Sequence, residues 1–145
     1  VKARQVFQNG QPADIKSLSA EFSSKSRQAF FRGAVVIDTG AMRVTGPEAE
    51  FVYGAGSDSL ESLKVRKGAR VSDLEKWATS DNVTYLVKEN KYIFQGHPVV
   101  TQDHDELSGD EIVFLDGGKE VKVVGVKARI ESEDMEKYIE PTENH

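Results

Sequence analysis

The sequence predicts an all-β, single-domain fold that curls into a jellyroll-like shell. Three observations predict it. Short runs alternate between apolar and polar residues, the period of a half-buried strand. Turn-forming clusters separate these runs at roughly 8–12-residue intervals, the spacing of a sandwich or barrel. The first half of the chain also recurs in the second at a constant offset of 63 residues.

The elements follow in chain order. Ser19-Ala20-Glu21-Phe22 reads as a strand, and residues 28–38 as a longer one with Gly33 in its middle. Residues 42–45 and 49–53 form a third, interrupted strand. Leu63-Lys64-Val65-Arg66 alternates again after a Gly/Ser/Asp loop at 54–59. Residues 72–76 carry the signals of one helical turn. Residues 83–87 and 91–95 flank the polar turn Lys88-Glu89-Asn90. Residues 111–115 and 120–124 flank Asp116-Gly117-Gly118-Lys119, where glycine supplies the positive φ of a tight hairpin. Residues 132–139, acidic at their start and followed by Pro141, predict a short helix. The domain is expected over residues 1–131, with 132–145 an acidic, flexible tail.

The repeat organises these elements. With an offset of 63, residues 18–54 register on 81–117 without a gap, and eight of the 37 pairs are identical. Lys25 falls on Lys88, Phe31 on Phe94, Gly33 on Gly96, Val36 on Val99 and Gly46 on Gly109. Glu48, Phe51 and Gly54 fall on Glu111, Phe114 and Gly117. One β unit is therefore used twice, over about 13–71 and 76–130. A glycine inside a strand marks a bulge or close backbone approach. Gly33/Gly96 and Gly46/Gly109 are thus expected to kink their strands and bend the sheet over.

Strand parity then assigns an inward, apolar set. It comprises Ile15, Phe22, Phe31, Val35, Val44, Phe51 and Val65 in the first unit, with Met42 and Ala49 beside them. In the second it comprises Tyr85, Val87, Phe94, Val100, Leu107, Ile112, Phe114 and Val123. Near Gly33 both Val35 and Val36 are apolar, so parity leaves the register open there.

Charge and composition exclude several functions. The net charge is −5 and the cations form no stripe, so nucleic acid is excluded as a partner. There is no cysteine, hence no disulfide, thiolate metal site or cysteine nucleophile. No apolar run reaches the roughly 18 residues of a membrane span. The chain opens without Met or an apolar leader, as a mature or trimmed fragment would. Asp103-His104-Asp105-Glu106 has carboxylates and an imidazole, but its spacing matches no metal loop, and it reads as a solvated acidic turn. His97 reads as a strand-edge residue, and Trp77 as a cap on the core where the repeats join. Lys64, Arg66 and Arg70 alternate on a strand, as a solvent-facing side would. No phosphate loop, Ser-His-Asp order or HExxH is present. The expectation is a binding protein without enzyme activity, cofactor or metal.

The run Tyr92-Ile93-Phe94-Gln95-Gly96-His97-Pro98-Val99-Val100-Thr101-Gln102, followed by Leu107-Ser108-Gly109-Asp110-Glu111-Ile112-Val113-Phe114, resembles the repeat of the OstA-like (LptA) family. The first unit is similar but looser, with Pro47 at the position of Asp110 and Thr39 at that of Gln102. The resemblance implies a twisted, V-shaped antiparallel β-jellyroll in the periplasm. It implies that the inward set is a groove for the acyl chains of lipopolysaccharide. It also implies end-to-end joining to like jellyrolls of the transport machine, LptC-like and LptD-like, or to further copies. Those joining edges are expected at residues 3–7 or 14–19 and at 121–130. The alternatives are an LptC-like domain of the inner-membrane complex and a lipid-free β-repeat scaffold polymer.

Overall fold

The structure is a computed structural model that describes residues 1–7, 10, 12–40, 42–54 and 60–129. Its secondary structure is almost entirely strand. In chain order these are β1 (Lys2–Val6), β2 (Pro12–Lys16), β3 (Ser19–Ser23), β4 (Gln28–Asp38), β5 (Arg43–Tyr53), β6 (Leu60–Arg66), β7 (Ala69–Ser72), β8 (Lys76–Ser80), β9 (Asn82–Leu86), β10 (Lys91–Gln95), β11 (Val99–Gln102), β12 (Asp105–Ser108), β13 (Glu111–Leu115), β14 (Glu120–Val124) and β15 (Lys127–Arg129). All named pairs are antiparallel.

The topology is a meander of bent passes. Each pass crosses a corner and contributes one segment to each of two layers. In the first layer the order is β3, the start of β4, the end of β5, β6, β9, β10, β13, β14. In the second it is β1, β2, the end of β4, the start of β5, β7, β8, β11, β12, β15. Short hairpins suffice to make this arrangement, because every pass lies beside the one that follows it.

Glycine makes the corners. β4 shifts register between Arg32 and Val35, where Gly33 and Ala34 both have positive φ (86° and 47°). A Cβ on Gly33 would lie 2.7 Å from Leu18 of the neighbouring pass. Sixty-three residues on, Gly96 and His97 have φ of 82° and 54°, and a Cβ on Gly96 would lie 2.6 Å from Asp81. The turns match too. Arg27 and Asn90, also 63 apart, both take positive φ (55° and 52°).

The two layers close on one apolar core. Phe31, Phe51, Leu63, Tyr85, Phe94 and Phe114 come from the first layer; Ile15, Val35, Ile37, Val44, Val71 and Leu107 come from the second. Burying each such side chain stabilises the fold by about 1.5–3 kcal/mol. The register left open near Gly33 resolves toward Val35, which is buried while Val36 is only partly so.

Several expectations need correction. The third strand is not interrupted: β5 runs through Gly46 and Pro47 and carries its inward set from Val44 to Ala49 across the corner. Residues 73–75 do not form a helical turn; the Asp73 carboxylate accepts from the Glu75 and Lys76 amides (2.7 and 2.9 Å), and Lys76 then opens β8. Trp77 does not cap the core. It projects from the outer face of β8 with the Arg70 guanidinium 5.4 Å from its ring centre. The acidic turn is solvated only in part, because Asp105 is buried at the start of β12. β2 is not an edge, since β1 covers it. The helix expected at 132–139 and the tail at 132–145 lie outside the described residues.

Candidate lipid-binding interior

The candidate site is the apolar face shared by the two layers. Its aromatic residues come from alternate positions of neighbouring strands, so their rings meet across the ladder. Phe31 meets Phe51 at 4.9 Å between ring centres, and the repeat-equivalent pair Phe94 and Phe114 at 4.7 Å. Tyr85 stacks on Tyr92 at 4.3 Å, and Phe7 meets Tyr85 at 5.4 Å.

Fourteen of the fifteen residues assigned to the groove are buried: Ile15, Phe31, Val35, Val44, Phe51, Val65, Tyr85, Val87, Phe94, Val100, Leu107, Ile112, Phe114 and Val123. Phe22 differs. It is 62% exposed, and among the described residues no strand covers the outer edge of β3. It lies edge-on to Tyr53 at 5.8 Å. Together with Ala20, Ala29, Phe31 and Tyr53 it lines a hollow of about 590 Å³ between β3 and β1. Phe31 belongs both to this hollow and to the core and is itself buried, so the hollow borders the apolar interior at the N-terminal end.

Sequence reasoning missed Phe7, Leu60, Leu63 and Tyr92 as members of the interior. Tyr92 was legible, since it shares parity with Phe94 on one strand. Phe7 was not, because it joins through an isolated parallel bridge to Leu60 rather than a strand ladder.

The rims opposite the corners meet. Gly118 lies against the Met42 methyl, with 3.6 Å from where its Cβ would be. The Thr39 hydroxyl donates to the Met42 carbonyl (3.3 Å), and burial, with Tyr85 nearby, pushes the Tyr92 phenol far above its ordinary range, an effect that Thr39 opposes only in part. The Lys76 ammonium sits 5.5 Å from the centre of the Phe114 ring and pairs with Asp73 at 2.9 Å. Burial opposes the charge on Asp73, but Lys76 and the two backbone amides outweigh it and hold its carboxyl below the ordinary value. The described residues contain no cluster of three or more His, Asp or Glu that could hold a metal. No helix among them is long and apolar enough to cross a membrane. Two cations of β6 and its corner are matched by acids, Arg66 with Glu50 (2.6 Å) and Lys67 with Glu48 (3.1 Å).

A family model described as the LptA/(LptD N-terminal domain) LPS transport protein matches residues 14–134. The chain belongs to this family. Among solved structures, the fold is shared with LptH, described as the LptA homologous periplasmic component of the lipopolysaccharide transport device of Pseudomonas aeruginosa. The TM-score is 0.74 at 20% identity, over 84% of this chain and 96% of that one. Comparison with individually curated protein sequences gives no significant match. The OstA-like expectation and the all-β jellyroll are thereby met, and the chain takes its place among the LptA-like transport proteins.

Proposed function

We propose that this LptA-like chain carries lipopolysaccharide through the periplasm and holds its acyl chains between the two layers. The observation that supports this most is the single apolar interior, lined by both repeats and bordered by the β1/β3 hollow. Hydrocarbon needs continuous apolar lining, at roughly 25 cal/mol per Å² buried, and no reactive group. In this reading the edge strands join the chain end to end with like jellyrolls, since free strand edges recruit further strands. Catalysis has no part in it.

One observation favours a second reading. The interior is filled by its own side chains, as a lipid-free β scaffold would require. Photocrosslinking to purified lipopolysaccharide separates the two. A photoreactive residue at Phe114 faces the interior, and one at Val113 faces the opposite side of the same strand. The carrier labels at Phe114 and not at Val113. A folded protein that labels at neither site is a scaffold.

A further inference from the structure

Phe7 is a core residue that its own strand does not place. β1 belongs to the second layer and ladders on β2 from Lys2 to Val6. The next residue leaves that ladder and crosses to the first layer. There it meets Leu60, at the rim end of β6, through an isolated parallel bridge. Phe7 is 1% exposed in this position.

The repeat shows that the crossing is an addition. The β1–β2 hairpin corresponds to the β7–β8 hairpin, with Ala3 opposite Ile15 in one and Val71 opposite Ala78 in the other. Ile15 and Ala78 are 63 residues apart, but Ala3 and Val71 are 68 apart, so the first hairpin is five residues longer. The shorter one turns at once, with the Asp73 carboxylate accepting from the Glu75 amide (2.7 Å), and Leu74 at its tip is fully exposed. A short turn suffices to reverse a hairpin. The added length of the first hairpin therefore serves the crossing, which carries an aromatic ring into the interior.

That ring comes to rest at the end of an aromatic row. Phe7 lies 5.4 Å from Tyr85 between ring centres, Tyr85 stacks on Tyr92 at 4.3 Å, and Tyr92 meets Phe114 edge-on at 6.4 Å. Tyr85, Tyr92 and Phe114 come from β9, β10 and β13 of the first layer, whereas Phe7 is brought in from the second. The Tyr85 hydroxyl donates to the Asn90 side chain (2.7 Å) in the adjacent turn, so its ring remains an apolar surface for whatever lies against it. Withdrawing Phe7 breaks one bridge and leaves the β1–β2 ladder whole.

We infer that the place Phe7 holds beside Tyr85 is a hydrocarbon subsite, and that Phe7 is its built-in occupant, displaced when an acyl chain enters. A phenyl ring and a stretch of hydrocarbon chain both bury apolar area there and need no polar partner. In the free protein the ring joins the two layers at the rim. In the loaded protein the acyl chain takes over its contacts and the bridge between the layers is released. Self-occupancy lowers the apparent affinity for lipid in proportion to the fraction of molecules whose ring is out. The inference rests on the reading that acyl chains lie between the layers, and it names the contact they displace.

Fluorine NMR of the full chain tests this. 4-Fluorophenylalanine is placed at position 7 and purified lipopolysaccharide is titrated in, while a photoreactive residue at Phe114 reports interior binding in parallel. The expected result is a fluorine resonance that moves from a buried to a solvent-exposed shift as lipid saturates. Phe7→Ala then binds lipopolysaccharide about fivefold more tightly than the parent. A disulfide between Phe7→Cys and Leu60→Cys, which pins the crossing at directly paired positions, weakens binding about tenfold until it is reduced. A resonance that stays buried while Phe114 labels overturns the inference and leaves the interior reading standing. Phe7→Ala binding no more tightly than the parent, with Phe114 labelled, does the same. No label at Phe114 in a folded chain overturns both.

Discussion

At the residue scale, Asp73 and Lys76 show how a charge is kept inside an apolar rim. The Lys76 ammonium is nearly buried and sits beside Phe114, so it depends on the Asp73 carboxylate. Removing one partner of a buried pair leaves the other uncompensated. Asp73→Asn is expected to cost about 2 kcal/mol at neutral pH, read from urea unfolding. The sign with pH is fixed by the depressed carboxyl. Its contribution is fully present above the ordinary value of 3.8 and is lost as pH falls through the lower folded value. The gap between variant and parent therefore begins to narrow near pH 3.8 and closes only below the lower folded value; a gap that stays constant as pH falls contradicts the assignment. The same strand shows why sequence reading failed for Trp77. On β8 the inward positions are Lys76, Ala78 and Ser80, and the outward ones are Trp77 and Thr79. The apolar alternation is inverted, because Asp73 neutralises Lys76 and Arg70 covers the indole. Neither compensation is local enough to read from a strand pattern.

At the scale of elements, the corners carry the architecture. Bent passes need a residue whose Cβ is absent, because adjacent corners stack on one another. Gly33, Gly46, Gly96 and Gly109 were legible as kinks from their in-register recurrence. The strands 91–95, 111–115 and 120–124 were legible too, because large apolar residues recur at every second position, Tyr92 and Phe94, Ile112 and Phe114, Val121 and Val123. That β5 runs unbroken through Gly46-Pro47 was not, since Pro usually marks a strand end. β1 was visible only as an edge, since nothing in its own sequence says that it covers β2. The corner predicts a specific lesion. A Cβ at Gly109 would lie 2.5 Å from the Val124 carbonyl oxygen and 2.9 Å from that of Gly125. Both are backbone atoms, so the last pass must move. Gly109→Ala is expected to destabilise by about 2 kcal/mol, as overpacking does. Hydrogen exchange of β14 and β15 should quicken, while that of β4 and β5 is unchanged. Uniform quickening would mean that the corner is not a local fit.

At the scale of the whole molecule, the interior is both the candidate site and the core. The inward set was legible because fourteen of its members alternate cleanly and are buried. What no sequence pattern shows is that the rims meet, through Gly118 and Met42 and through Lys76 and Phe114. Carrying acyl chains between these layers therefore requires the layers to part along the rims while the corners hold. Packed sheets lie about 10 Å apart, a space that two layers of side chains fill, so a further layer of hydrocarbon adds roughly 5 Å. Leu74 stands fully exposed on a turn of the second layer, and Glu89 lies exposed on a turn of the first. The most direct measurement is the distance between spin labels on Leu74→Cys and Glu89→Cys, with and without lipopolysaccharide. Carriage between the layers predicts that the distance grows by roughly 5 Å when lipid binds. An unchanged distance with lipid demonstrably bound would place the lipid outside the interior and contradict the account.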